Sequence, residues 1–208
     1  KISCTLNHKL YVKPLNKNKY TLIEAGDVYQ NQMQFQKTMN NNYSDLDNVK
    51  IEIEEYNMNS WLIVLGLYVN FGKIYKQHLE FYIANLRLIQ ILENSLLELN
   101  IKYIRENSGK IIITNDYPSM FVHFYKLSLN KDFVLPCYVW NLSLEQCRRL
   151  MYTILDCECG NKDREGFTYK SYSKTLLNEL SRLALHCNWS AVIKDETIYI
   201  IKLYNQPY

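Results

Sequence analysis

Apolar positions run from Trp61 to Val69 with one interruption, Gly66, and the run ends at Asn70, Phe71 and Gly72. Its length suits a helix over Met58–Phe71 that is buried on most sides, with Asn57 or Asn59 as N-cap. Glycine inside a helix costs roughly 1 kcal/mol relative to alanine. Gly66 therefore predicts a contact that needs the side chain to be absent. Further along, the pattern predicts a strand over Tyr75–Ala84. Leu88, Ile91, Leu92, Leu96 and Leu99 form one stripe of a helix over Leu86–Leu99. Ile101–Arg105 and Lys110–Thr114 read as a hairpin across the polar turn Glu106–Gly109. A helix over Tyr117–Leu127 follows.

The order then returns. After "NLSLEQ", Ser143 and Gln146 have the spacing of a capping box, and a helix runs to about Asp156. Next come a strand over Phe167–Ser173 and a helix over Lys174–Leu185. Strands Ser190–Lys194 and Thr197–Leu203 close the pattern, joined at Asp195-Glu196. "LNIKYIRENSGKIIITN" and "HCNWSAVIKDETIYIIKLYN" share one plan: Asn, strand, tight polar turn, strand. Asn100 and Asn188 stand 88 positions apart. A shared period of this kind marks a duplicated unit. The prediction is an α+β fold with pseudo-two-fold symmetry, helix–strand–helix–strand–strand repeated.

Upstream, residues 2–13 alternate in part and predict a strand with a turn at Leu6-Asn7-His8; residues 20–29 allow a short strand. The stretch "QKTMNNNYSDLDN", residues 36–48, has no apolar period and reads as a linker. This gives a β-rich piece with its linker over 1–45 and a larger domain over 46–208.

Composition narrows the function classes only slightly. Of 208 residues, 48% are apolar and 22% charged, an ordinary globular balance. A net charge of +3 permits nucleic-acid binding, but a basic face would have to be local. Abundant Asn, Lys, Ile and Tyr suggest an AT-rich coding genome. The chain starts at Lys1 and reads as an excerpt of a longer protein. Its apolar run is too short for a membrane span of about 20 residues. Six cysteines in a chain of this size are not needed for stability, so a reducing intracellular compartment is expected. Cys157, Cys159, His186 and Cys187 lack the paired spacing of a structural zinc site, and buried thiols at a helix contact suit them better. No glycine-rich phosphate loop is present. His78 and His123 sit among aromatic residues and read as structural.

The two leading helices carry a resemblance. Val64-Leu65-Gly66-Leu67-Tyr68-Val69-Asn70-Phe71-Gly72 aligns with Met151-Tyr152-Thr153-Ile154-Leu155-Asp156-Cys157-Glu158-Cys159 at an offset of 87. These nonamers resemble, in degenerate form, the signature of the LAGLIDADG homing endonucleases. "VWNLSLEQCRRLMYTIL" and "YKSYSKTLLNELSRLALHCNWSAVI" are similar to segments of inteins that carry this endonuclease. "CTLNH" fits the Thr-x-x-His motif of intein splicing domains, at Thr5 and His8.

The resemblance implies that the signature helices pack together at a pseudo-dyad, with Gly66 opposite Thr153 and Asn70 opposite Cys157. In the family each helix ends in an acid, and the paired carboxylates hold divalent cations, usually magnesium. Here the acid positions hold Phe71 and Glu158, so one half-site lacks its ligand and double-strand cleavage is expected to be lost. Magnesium is implied only if activity remains. Asp156 points to a different helix face from Glu158. The family contacts duplex DNA through the concave face of its sheet. The corresponding strands carry Lys76, His78, Arg105, Lys110, Lys170, Lys194 and Lys202, diluted by Glu80, Glu106, Asp195 and Glu196. Thr5 and His8 would help activate a scissile peptide bond, but the splicing nucleophile and the terminal His-Asn are absent from this chain. The implied function is an internal segment of an intein, flanked by its host protein, with a monomeric, DNA-binding endonuclease-like domain. The alternative is a decayed or domesticated endonuclease fold, non-enzymatic, that serves a larger protein as a DNA-binding or scaffold module.

Overall fold

The computed structural model describes residues 5–7, 9–17, 19–29, 31–35, 43–114, 116–129, 133–156 and 166–202. The chain divides into two compact units, Lys1–Met39 and Asn40–Tyr208. In the first, strand β1 (Lys9–Pro14) pairs antiparallel with β2 (Thr21–Glu24) and β3 (Met33–Phe35), and α1 (Ala25–Tyr29) lies between them in sequence. Among its described residues Val12 and Val28 are the buried apolar ones. Thr5 is exposed just ahead of a turn that precedes β1, and His8 lies outside the described residues.

The second unit opens with a hairpin, β4 (Asn48–Ile51) and β5 (Glu54–Asn57). Nothing in the apolar pattern announces it, because its turn uses Glu52 at φ 54° rather than a glycine or asparagine. Helix α2 (Met58–Phe71) follows at once. The Asn57 side chain accepts from the Ser60 N–H at 3.1 Å and caps it. From Trp61 to Tyr68 all but Ile63 are buried, which accounts for the unbroken apolar run. Gly72, just past its end, has a local reason: a Cβ there would fall on the Tyr68 ring. That ring is itself wedged against Phe81 and Phe124.

After α2 come β6 (Gly72–Tyr75), β7 (His78–Tyr82), α3 (Leu86–Glu98), β8 (Ile104–Arg105) and β9 (Lys110–Ile113). The single strand expected over Tyr75–Ala84 is thus a hairpin, turning at Lys76 with φ 52°. Then α4 (Pro118–Leu129) and a 3₁₀ turn (Cys137–Asn141) lead to α5 (Leu144–Asp156). The remaining elements are β10 (Gly166–Lys170), α6 (Lys174–His186), β11 (Trp189–Lys194) and β12 (Thr197–Lys202). The strands form antiparallel sheets of order β6-β7-β9-β8 and β10-β12-β11. Strands β7, β9 and β8 therefore succeed one another as β10, β12 and β11 do.

Both α3 and α6 end alike. Asn100 (φ 57°) and Asn188 (φ 59°) take the left-handed conformation just past the helix, and each N–H returns to the helix at 3.0 Å. One core runs through the whole second unit, from Val49 to Ile200. The expected linker over 36–48 ends earlier than its composition suggests. Asp45 accepts from the Ser143 hydroxyl, and Leu46 exchanges two hydrogen bonds with the Gln146 carboxamide, at 3.1 and 2.6 Å. The capping box is therefore half formed. Ser143 Oγ accepts from the Gln146 N–H, but the Gln146 side chain turns to Leu46 instead of its own helix end.

Candidate nucleic-acid interface

Helices α2 and α5 meet at Gly66. A Cβ placed there would lie 2.8 Å from both Cβ and Cγ2 of Thr153, closer than packed carbons tolerate. Thr153 donates its hydroxyl to the Arg149 carbonyl one turn back, at 2.8 Å, which leaves its methyl for the seam. One turn beyond Gly66, Asn70 ties the pair. Its Nδ2 donates to the Ile154 carbonyl at 3.0 Å, and its Oδ1 accepts from the Tyr169 hydroxyl of β10 at 3.0 Å. Asn70 thus joins the end of α2 to both α5 and the second sheet.

Phe71 is half-buried, its ring against the core. Among the described residues the end of α2 does not fit a divalent cation. Phe71 has no ligating atom, and both ends of the Asn70 carboxamide are engaged. Glu158 and Cys157 lie outside the described residues. Asp156 lines a groove of about 460 Å³ on the α3 side of the seam, with Ile63, Leu67, Leu88 and Ile91.

Register assigns every strand residue to a face, because side chains alternate and paired residues share a side. In the first sheet Leu79, Phe81, Ile111 and Ile113 are buried under the helices. The opposite, open face carries Lys73, Tyr75, His78, Glu80, Tyr82 and Lys110. In the second sheet Phe167, Tyr169, Ile198 and Ile200 face the helices. Its open face carries Thr168, Lys170, Val192, Lys194 and Tyr199, with Lys170 and Lys194 on either side of Thr197.

Of the cations expected to contact DNA, Lys110, Lys170 and Lys194 share the open faces, and Lys76 sits at the β6–β7 turn. Two do not. Arg105 pairs with Ile111, so it points to the helix side, where its guanidinium meets Glu93 of α3 at 3.2 Å. Lys202 pairs with Trp189 and lies over the aromatic edge of the core, its ammonium 4.4 Å from the Phe167 ring centre and 4.9 Å from that of Tyr152. Sequence reasoning missed Lys73, Tyr75, Tyr82 and Tyr199. Strand alternation places Tyr82 and Tyr199 on these faces, and Lys73 and Tyr75 join them once the β6–β7 turn is recognised.

The first open face also holds a buried acid. Glu80 is 3% exposed, sheltered by its neighbours on that face rather than by the core. Lys110 Nζ lies 3.0 Å from Oε1, and the Tyr82 hydroxyl donates to Oε2 at 2.5 Å. Burial pushes the Glu80 carboxyl up, but the Tyr82 hydroxyl and the Lys110 ammonium outweigh it and hold it below its ordinary value. The hydrogen bond to Glu80 raises Lys110. Both partners are therefore charged at neutral pH.

No family model matches the chain. Among curated proteins, an ATP-dependent Clp protease proteolytic subunit of Chlamydomonas moewusii is 26% identical over 225 residues, covering 92% of this chain. A DNA-directed RNA polymerase subunit beta C-terminal section of Stigeoclonium helveticum is 23% identical over 248 residues, covering 89% of this chain. The chain spans only 22% of the length of each. Among solved structures it is similar to I-DmoI in complex with DNA and Mn, with a TM-score of 0.45 and 12% identity, covering 69% of this chain and 89% of that one. I-DmoI in complex with DNA and Ca gives a TM-score of 0.45 and 13% identity over 70% and 83% of the two chains. Mesophilic variants from the homing endonuclease I-DmoI give a TM-score of 0.45 and 12% identity over 69% and 84%.

Proposed function

We propose that this chain is an internal segment of an intein whose LAGLIDADG-like domain binds duplex DNA without making double-strand breaks. The observation that carries the reading is the seam at Gly66 and Thr153, with the same strand succession following each seam helix. A tandem duplication about a small-residue helix contact accounts for both. In this reading the two open sheet faces are the DNA surface, their alternate residues reaching base edges and phosphates in the major groove. One chain supplies both halves, so the domain acts as a monomer.

Loss of cleavage follows from Phe71, which offers no oxygen where a second carboxylate is required. Magnesium, held by Glu158 alone, would supply Lewis-acid chemistry at most to one strand. The intein context draws on the curated relatives. A protease subunit and a polymerase subunit have unrelated activities, yet each contains a segment similar to nearly all of this chain within about a fifth (22%) of its length. An insert that moves between hosts behaves in this way. Thr5 and His8 belong to the splicing portion of that insert, and the flanking host sequence is its partner.

The test uses duplexes that carry uninterrupted host sequence at candidate insertion sites, incubated with the protein and magnesium, then manganese. The expected result is a bound complex with intact strands. Double-strand breaks that Glu158→Gln abolishes would overturn the claim of lost cleavage.

A further inference from the structure

From the cluster at Glu80 we infer that this carboxylate is a positioning residue, which holds Lys110 and Tyr82 side by side to read the major-groove edge of one base pair. The inference rests on the DNA-binding reading above. A lysine that grips phosphate does so as an unneutralised charge on a mobile stem. Lys110 is the opposite case. Its ammonium is fixed 3.0 Å from Glu80, with Glu106 a further 3.9 Å away, and only 20% of its side-chain surface is exposed. With its charge balanced by Glu80, it offers little to a phosphate. What remains is directional chemistry.

The two carboxylate oxygens of Glu80 are occupied separately, one by the Lys110 ammonium and one by the Tyr82 hydroxyl. The ammonium keeps N–H groups to donate. The hydroxyl has given its proton to Glu80 and stands close to the Lys110 ammonium, so towards a base it acts as an acceptor. A donor beside an acceptor on the open face of a sheet complements the adjoining acceptor and donor of a base pair in the major groove, guanine O6 beside cytosine N4 or thymine O4 beside adenine N6. Tyr82 is half exposed and Lys110 lies directly opposite it in the register, so both reach outward from a buried anchor.

Selection from a library of randomised duplexes tests this directly. The wild-type protein should enrich sequences with one fixed base pair. Glu80→Gln should reduce the preference at that pair about tenfold and, because it leaves the Lys110 charge unbalanced, should not lower the salt dependence of binding. Tyr82→Phe, at a half-exposed position, leaves the Glu80–Lys110 pair in place. It should weaken the same preference and fold as the wild type does, which guards against a misfolded Glu80 variant. An identical enriched motif from the wild type and both variants would overturn the inference while DNA binding stood. So would an equal loss of affinity for every sequence in folded variants. No duplex binding by the wild type would overturn the DNA-binding reading, and this inference with it.

Discussion

His123 shows how a single side chain ties pH to stability in this molecule. It packs between Trp61, Phe124 and Tyr138, and its Nε2 lies 3.4 Å from the Tyr138 hydroxyl, which also accepts from the Trp61 indole at 2.7 Å. Burial pushes its pKa down to about 4, with Lys126 adding to the effect and Glu52 opposing it. An unfolded histidine titrates near 6.5. As pH falls below that value, the unfolded chain takes up a proton that the folded chain refuses, so stability is lost between about pH 6.5 and 4. Between pH 7 and 4.5 the loss from this group is on the order of 2–3 kcal/mol. His123→Gln should remove that share, so the variant's urea midpoint should fall less than the wild type's over the same interval. Equal falls would show that His123 is protonated in the folded state. Asn70 makes a second residue-scale case. Tyr169→Phe deletes one of its two partners and should lower stability by about 1 kcal/mol in the same assay.

The seam between α2 and α5 is an element-scale feature and needs an element-scale test. Gly66→Ala drives a carbon into Thr153 and should cost about 1–3 kcal/mol. In a Thr153→Gly background both clashing atoms are gone, so the same substitution should cost well under half as much. Additive effects would mean that the helices do not meet there. The repeated helix ends give another prediction. Asn188→Val at φ 59° should lose about 1–2 kcal/mol and Asn188→Gly almost nothing, with the same contrast at Asn100. The helices were legible in the sequence because their stripes and caps are local signals. Gly66 was legible because only a tertiary contact justifies a glycine in an apolar helix. Strand faces were harder to read. The β4–β5 and β6–β7 turns use Glu52 and Lys76 with positive φ, residues that do not announce a turn, and an unplaced turn leaves the register open. Arg105 and Lys202 lie on strands whose turns the sequence does show; they were grouped with the DNA-facing cations by strand rather than by face, and alternation puts them on the helix side. Gln146 misled for a different reason: its capping spacing is real, but Leu46, 100 positions away, takes its side chain.

At the scale of the whole molecule, the second unit presents two open sheet faces that carry cations, Lys110 paired with Glu80 on one and Lys170 and Lys194 on either side of Thr197 on the other. No helix among the described residues is long and apolar enough to cross a membrane. His8 and Glu158 lie outside the described residues. The central claim is that the open faces, not the helix side, meet duplex DNA. The salt dependence of duplex binding, followed by fluorescence anisotropy, tests it most directly, because each lost phosphate contact lowers the slope of log K against log salt by about 1. The doubly substituted Lys170→Ala, Lys194→Ala protein should show a slope lower by about 2. The Arg105→Ala, Lys202→Ala protein should keep the wild-type slope even where its stability falls. A slope that drops with Arg105 and Lys202, and holds when Lys170 and Lys194 are removed, would contradict the account.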